Sequence, residues 1–112
     1  MPKVISEKLL TIAELLEILE KIQEERELTS IEAYTLDYAK KFAKIPADSA
    51  RKAVRELVEL GVPEPYAVQI VNIMPRTEDE LRVILAPLMK PFTPSALKKI
   101  LEILDRYRRE VQ

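Results

Sequence analysis

The chain has 112 residues, 47% of them apolar, with 18 basic and 19 acidic side chains and a formal net charge of −1. This length predicts one small domain with a modest core, and the balanced charge argues against a protein that wraps nucleic acid by bulk electrostatics. The absence of cysteine and histidine excludes disulfides, thiolate chemistry, zinc sites and imidazole catalysis, and we expect neither a metal nor a cofactor. No apolar run approaches the roughly 20 residues that a membrane helix needs, and a cytoplasmic setting fits the composition.

The first ten residues, MPKVISEKLL, contain apolar pairs but no helix-start signal. Val4 and Ile5, then Leu9 and Leu10, bracket a polar segment, and this imperfect alternation predicts an extended arm or edge strand. The sequence offers no second strand to pair with it. Because unpaired strand backbone is normally completed by another chain through β-augmentation, the arm indicates a partner. The alternative is a frayed terminus.

Thr11 and Glu14 form a capping box, which predicts a first helix over residues 12–27. Its apolar positions cover an arc of about 160°, wider than the minimal stripe of a core-facing helix. They are Ile12, Leu15, Leu16, Ile18, Leu19 and Ile22. Two interpretations stay open: a central core helix, or a helix that packs on its own chain along one edge and on a partner along the other. On the solvent side, Glu17 and Lys21 predict an i, i+4 ion pair.

Thr29 and Glu32 repeat the capping box and predict a second helix over residues 30–44. Three aromatic rings recur at helical spacing beside three lysines near its end. The rings are Tyr34, Tyr38 and Phe42, and the lysines are Lys40, Lys41 and Lys44. The spacing places the rings with Ile31 and Ile45 on a buried stripe, and the lysines offset the dipole in the last turn. The alternative is a base-stacking surface for nucleic acid.

Short helices with abrupt corners follow. Pro46 begins the third helix, and Gly61, the only glycine, ends it, because a residue without Cβ turns left-handed at low cost. Pro63 precedes the fourth helix, and Pro75 ends it. The helix–glycine turn–helix outline resembles a helix-hairpin-helix nucleic-acid module. Such modules use a second turn glycine where Pro63 stands, and proline has no amide to donate to a phosphate.

The fifth helix opens with a dense acidic cluster. Thr77 and Glu80 form its capping box, and Glu78 and Asp79 lie between them. Acidic side chains in a first turn are stabilised by the helix dipole, and no second carboxylate motif accompanies them. We therefore predict no metal site here.

The last helix, which begins at Pro94, and the loop before it hold six basic and three acidic side chains. This excess is the strongest electrostatic argument for nucleic acid in the chain. The candidate RNA contacts are Lys98, Lys99, Arg106, Arg108 and Arg109. The alternative explains the same residues as helix C-terminal cations and as the ion pairs Glu102–Arg106 and Asp105–Arg109.

Two segments resemble one family. Residues 36–44, LDYAKKFAK, resemble the LDYAxKFAK signature in the second helix of the F subunit of archaeal DNA-directed RNA polymerase, the counterpart of the fourth subunit of eukaryotic RNA polymerase II. Residues 73–82, IMPRTEDELR, resemble the family's IxPxxxDELR stretch, with Ala67 and Ile70 at the expected places before it. The resemblance covers nearly the whole chain in helix order. Asn72 stands where the family pattern has Asp, so no acidic role carries over to it.

The resemblance implies a non-catalytic subunit. Residues 1–45 would hold an arm and helices that dock the E subunit of the polymerase, and residues 46–112 would form an HRDC-like helical domain. With the helix signals above, this predicts an all-α fold in which an extended arm or edge strand precedes about six helices. The heterodimer of the E and F subunits would form the polymerase stalk, which is associated with promoter opening, nascent-RNA binding and factor recruitment. RNA contact would fall mainly to the E subunit.

Apolar surface near the N-terminus without an evident internal partner is where we expect the E subunit to dock. The predicted docking residues are Val4, Ile5, Leu9, Leu10, Ile12, Leu15, Leu16 and Leu19. The rival interpretation is a free-standing HRDC-like nucleic-acid module of the kind attached to helicases. It predicts salt-sensitive binding that is lost when the basic residues of the last helix are neutralised.

Overall fold

The structure, a computed structural model, describes residues 10–111, and within that range every regular element is helical. The elements are α1 (Ile12–Glu25), α2 (Ser30–Phe42), α3 (Ala47–Glu59), α4 (Glu64–Ile73), α5 (Glu78–Leu85), a 3-10 helix (Ala86–Leu88) and α6 (Pro94–Val111). The all-α prediction is therefore confirmed for this part of the chain. The predicted arm or edge strand lies outside the described residues, apart from Leu10. Within residues 10–111, no helix combines the length and apolarity needed to cross a bilayer.

Threonine caps begin four of the helices, and at three of them the threonine forms a reciprocal capping box with a glutamate, as the sequence predicts. The Thr11 hydroxyl accepts the Glu14 N–H at 3.1 Å, and the Glu14 carboxylate accepts the Thr11 N–H at 3.0 Å. The same reciprocal pair begins α2 at Thr29 and α5 at Thr77. Both α1 and α2 end two residues before the predicted boundary. No glycine marks either end, and helix ends without such a signal are poorly defined by sequence.

Gly61 ends α3 in a Schellman motif. Its N–H donates to the Val58 carbonyl at 2.9 Å, and the Val62 N–H donates to the Leu57 carbonyl at 3.1 Å. The glycine has φ +102°, and a Cβ placed on it would meet no atom within 4 Å. The requirement for glycine is therefore set by backbone conformation rather than by space. The turn brings Val62, 1% exposed, into the core.

Gly61→Ala is expected to lower the free energy of unfolding by about 1 kcal/mol, because an L side chain is disfavoured at positive φ. Urea unfolding followed by circular dichroism measures the loss. Gly61→Asn serves as the matched control, and its loss should be smaller because asparagine tolerates the left-handed region. Equal stability of the alanine variant and the parent would contradict this account of the turn.

The core lies between the last four helices. Helix α3 packs on α4 and α6, and α5 packs on α4 and α6. The central side chains are less than 2% exposed: Leu57, Ile70, Leu81, Leu97, Ile100 and Leu104. Helix α1 rests on α3 and contributes Ala13 to this cluster. Helices α3 to α6 thus form the body on which the first two helices are mounted.

Helix α2 lies at the edge of the molecule, where it packs mainly on α1. Its buried residues are Leu36 and Ala39. The predicted aromatic stripe is not buried, since Tyr34 is 75%, Tyr38 47% and Phe42 45% exposed. The prediction that these rings belong to the core is therefore wrong. The rings lie about a third of a turn around α2 from the buried residues, and no other helix of the described chain packs extensively there.

Candidate protein-docking surface

One face of α2 carries large apolar side chains that remain in solvent. This face, which we call the α2 stripe, consists of Ile31, Tyr34, Tyr38 and Phe42. Ile31 is the most exposed of them at 79%, and the Tyr38 and Phe42 rings lie with centroids 4.6 Å apart. Contiguous exposed apolar surface marks protein-interaction sites, and tyrosine and phenylalanine are enriched at interface cores. The α2 stripe is therefore the best candidate docking surface in the described chain.

The predicted docking residues of α1 differ in exposure. Leu10 is 38% exposed, whereas Leu19 is only 5% exposed and is covered by its own chain. Half-buried between these extremes are Ile12, Leu15 and Leu16. Outside the described residues lie Val4, Ile5 and Leu9. Ile18, 41% exposed, adds apolar surface on α1. The wide arc of α1 is thus partly used inside the chain and partly open to solvent.

The start of α1 is fixed to the body by the side chain of Asn72. Its Oδ1 accepts the Ile12 N–H at 2.9 Å, across 60 positions of sequence. That N–H belongs to the first turn of α1 and has no partner within the helix. The capping Thr11 beside it is 1% exposed. The sequence did not predict this contact. The signal that could have indicated it is that asparagine, like the Asp of the family pattern, has a side-chain oxygen that accepts a hydrogen bond.

Arg51 on α3 forms a second link to α1. Its guanidinium lies 3.4 Å from the Glu14 carboxylate and 3.4 Å from the Glu17 carboxylate, and it also pairs with Asp48. Glu14 is only 5% exposed, so little water reaches its carboxylate, and the Arg51 guanidinium supplies the balancing charge. Glu17 therefore pairs with Arg51, and the prediction that it pairs with Lys21 is wrong. Arg51 orients α1 on the body.

The connection between α1 and α2 is held by a forked ion pair. The two terminal nitrogens of Arg26 donate to the two carboxylate oxygens of Glu32 at 2.9 and 2.8 Å. Glu32 also accepts the Thr29 N–H of the capping box at 2.9 Å. The hydrogen bond from Arg26, followed by that from Thr29, lowers the pKa of Glu32 to about 2. The ion pair bridges the turn between α1 and α2, whose packing against each other holds the two helices together.

The stability of this connection is expected to depend on pH. Glu32 has a folded pKa of about 2 against an ordinary value of 4.5. Its stabilising effect is therefore complete above pH 4.5 and is lost as pH falls toward 2. Chemical denaturation at pH 7 and pH 3 should show a larger acid-induced loss for the parent than for Glu32→Gln. NMR titration should show the Glu32 pKa rising toward its ordinary value in Arg26→Met. An unchanged pKa in Arg26→Met would refute the ion pair.

The acidic first turn of α5 is engaged within its own helix. Arg82 lies 3.6 Å from Glu78 and 3.3 Å from Asp79, and Glu80 completes the capping box. Among the described residues, no group of three or more carboxylates is placed to hold a metal ion.

Arg106 anchors α6 to α3. It pairs with Glu56, and the Tyr107 hydroxyl donates to the same carboxylate. Burial, followed by the hydrogen bond to Glu56, raises the pKa of Tyr107 to about 12. Burial opposes ionisation of Glu56, but the hydrogen bonds from Tyr107 and Arg106 lower its pKa overall. The predicted Glu102–Arg106 pair is therefore wrong, because a partner 50 positions away takes the guanidinium.

Arg108 is likewise engaged inside the protein. Its side chain is 14% exposed, and it donates to the Met74 carbonyl at 2.9 Å and to the Pro75 carbonyl at 3.1 Å. It also pairs with Asp105, so the predicted Asp105–Arg109 pair is wrong. Of the candidate RNA contacts, the basic side chains that stay exposed without an internal ion pair in the described chain are Lys98, Lys99 and Arg109.

Comparison with known proteins gives a consistent result. The sequence matches the family model for RNA polymerase Rpb4 over residues 7–108. It is 37% identical over 105 residues to DNA-directed RNA polymerase subunit Rpo4 of Methanocaldococcus jannaschii, covering 94% of this chain and 89% of that protein. It is 34% identical over 74 residues to the Rpo4 subunit of Saccharolobus solfataricus, covering 65% of this chain and 66% of that protein. The chain belongs to the RNA polymerase Rpb4 family.

Proposed function

We propose that this Rpb4-family chain, a non-catalytic accessory subunit of archaeal DNA-directed RNA polymerase, works by docking to the E subunit in a heterodimer that supports transcription initiation and factor recruitment. The arm, α1 and the α2 stripe form the docking region, which corresponds to residues 1–45. Residues 46–112 form an HRDC-like body. The complex acts in the cytoplasm, with the polymerase core as the wider partner.

The exposure of the α2 stripe carries this proposal. Ile31 and Tyr34 are 79% and 75% exposed, although both are large apolar or aromatic residues in a regular helix. Burying one such side chain against a partner is worth roughly 1.5–3 kcal/mol. Lys40 and Lys41 are exposed in the last turn of α2 and would supply a polar rim.

Rigidity of the docking region adds to the argument. Asn72 and Arg51 fix α1 to the body, and the Arg26–Glu32 ion pair fixes the turn into α2. A surface that is already ordered loses less conformational entropy when a partner binds.

The experiment that tests the proposal mixes the purified chain with the E subunit and measures mass by light scattering during size-exclusion chromatography. We expect a stable 1:1 complex. Separate elution of the two proteins at micromolar concentration would overturn the docking proposal.

A role in RNA contact rests on fewer residues than the sequence predicted. We propose that Lys98, Lys99 and Arg109 supply it, within the heterodimer and secondary to the E subunit. Neutralising these three should weaken RNA binding by the heterodimer and reduce the slope of log affinity against log salt. The free-standing nucleic-acid module has less support, since Arg106 and Arg108 are engaged by Glu56 and by backbone carbonyls.

A further inference from the structure

A groove lies on the body between α5, the 3-10 helix and the start of α6. Its larger part is a cavity of about 380 Å³. Its lining includes the apolar side chains of Leu85, Met89, Phe92 and Leu97 together with the charged side chains of Arg82 and Lys90. Phe92 also lines a second cavity of about 170 Å³, together with Leu60 and the first turn of α6. We call the two cavities together the Phe92 groove.

The charge of the Phe92 groove is of one sign. Arg82, Lys90 and Lys99 line it, and none of its lining residues is acidic. In contrast, the lining of the cavity of about 290 Å³ between α1, α3 and α4 mixes acidic and basic side chains. The whole chain has a net charge of −1, so the groove is a local concentration of positive charge. Arg82 pairs with Glu78 at 3.6 Å and with Asp79 at 3.3 Å. The positive charge of the groove that has no ion-pair partner in the described chain is therefore that of Lys90 and Lys99.

The rim of the groove holds an apolar side chain in an unfavourable backbone conformation. Met89 has φ +53° and is 92% exposed. A non-glycine residue in this region costs roughly 1–3 kcal/mol, and such residues are concentrated at functional sites. The flexible thioether of methionine suits a surface that adapts to a ligand. Next to it, the Lys90 ammonium lies 5.9 Å from the centre of the Phe92 ring, at the mouth of the groove.

We propose that the Phe92 groove binds an acidic peptide segment of another protein. An aliphatic or aromatic side chain of the peptide enters the larger cavity between Met89 and Leu97, and its carboxylates face Lys90 and Lys99. The aliphatic wall favours a peptide over RNA, because base stacking needs open aromatic faces and the Phe92 ring is half-buried under Lys90. The groove uses no residue of the α2 stripe, so the inference stands independently of docking to the E subunit.

The test uses the full chain and three fluorescein-labelled probes. The first is a 12-residue peptide of aspartate and glutamate with one leucine and one phenylalanine, the second replaces every acid by lysine, and the third is a 12-nucleotide uridine RNA. In fluorescence anisotropy, we expect the acidic peptide to bind at least about tenfold more tightly than either other probe. Its affinity should fall as the salt concentration is raised. Equal binding of the two peptides, or tighter binding of the RNA, would overturn the proposal.

Two variants locate the site. Met89→Gly removes the rim side chain while suiting the left-handed backbone, so the fold is not at risk. Lys90→Glu reverses the nearest charge. Each variant should lower the affinity for the acidic peptide by about tenfold. The controls are Val83→Ser and Lys52→Glu, both at exposed positions outside the groove lining, and they should leave the affinity within about twofold. Equal effects of test and control variants would place the peptide elsewhere and refute the inference.

Discussion

The double variant Ile31→Asp with Tyr34→Glu is expected to abolish assembly with the E subunit. Both side chains are more than 70% exposed, so the change removes little contact within the chain. At an interface, however, it removes two apolar anchors and places two carboxylates in a desolvated position. We expect a loss of roughly 4 kcal/mol or more, which is about a thousandfold in the dissociation constant. Co-purification and titration calorimetry of the heterodimer measure it.

The variant should remain folded. Residue 31 lies in the first turn of α2, where an acidic side chain is stabilised by the helix dipole. Val83→Asp is the matched control, because this side chain is 74% exposed but lies on the body, outside the lining of the Phe92 groove. The control should assemble with the E subunit as the parent does. If the Ile31 and Tyr34 variant also assembles normally, the α2 stripe is not the docking surface.

Local signals predicted the helix boundaries well. The capping boxes at Thr11, Thr29 and Thr77 act over three residues, so they can be read directly from the sequence. The left-handed turn at Gly61 is equally local, because only one residue in the chain lacks a Cβ. These features fix the starts of α1, α2 and α5 and the end of α3, whereas the ends of α1 and α2, which carry no such signal, were predicted two residues too late.

The surroundings of each helix could not be predicted in the same way. Helical spacing shows that Tyr34, Tyr38 and Phe42 share a face, but not what covers that face. The buried side of α2 is instead formed by a second row of apolar side chains, Leu36 and Ala39. This second row was visible in the sequence and is the signal that could have identified the aromatic row as an interaction surface.

Long-range polar contacts were missed for a related reason. The rule that pairs charges at i, i+4 assigned Arg106 to Glu102, whereas its partner Glu56 is 50 positions away. The bond from the Ile12 N–H to Asn72 spans 60 positions. Such pairs depend on how the helices pack, so one sequence cannot specify them. They nevertheless decide which basic residues of α6 remain exposed to solvent without an internal partner in the described chain.

Arg108→Met is expected to lower the free energy of unfolding by about 2 kcal/mol. Methionine keeps much of the length and the apolar stem of arginine but cannot donate to the Met74 and Pro75 carbonyls. Those carbonyls lie where α4 ends with Met74 at φ +52°, and Pro75 is among the fully buried side chains. Removing the donor leaves two acceptors without their partner near the core. Urea unfolding of the purified chain measures the loss.

Arg109→Met is the matched control, one position further along α6 and exposed. Its stability should stay within about 0.5 kcal/mol of the parent. The effects on RNA binding by the heterodimer should be reversed. Under conditions in which both variants are folded, Arg109→Met should lower the RNA affinity and Arg108→Met should leave it nearly unchanged. The two neighbouring arginines would then have separate tasks, one inside the protein and one at its surface. If Arg108→Met weakened RNA binding without loss of stability, the assignment of Arg108 to the α4–α5 turn would be wrong, and the basic helix would act as a single nucleic-acid surface.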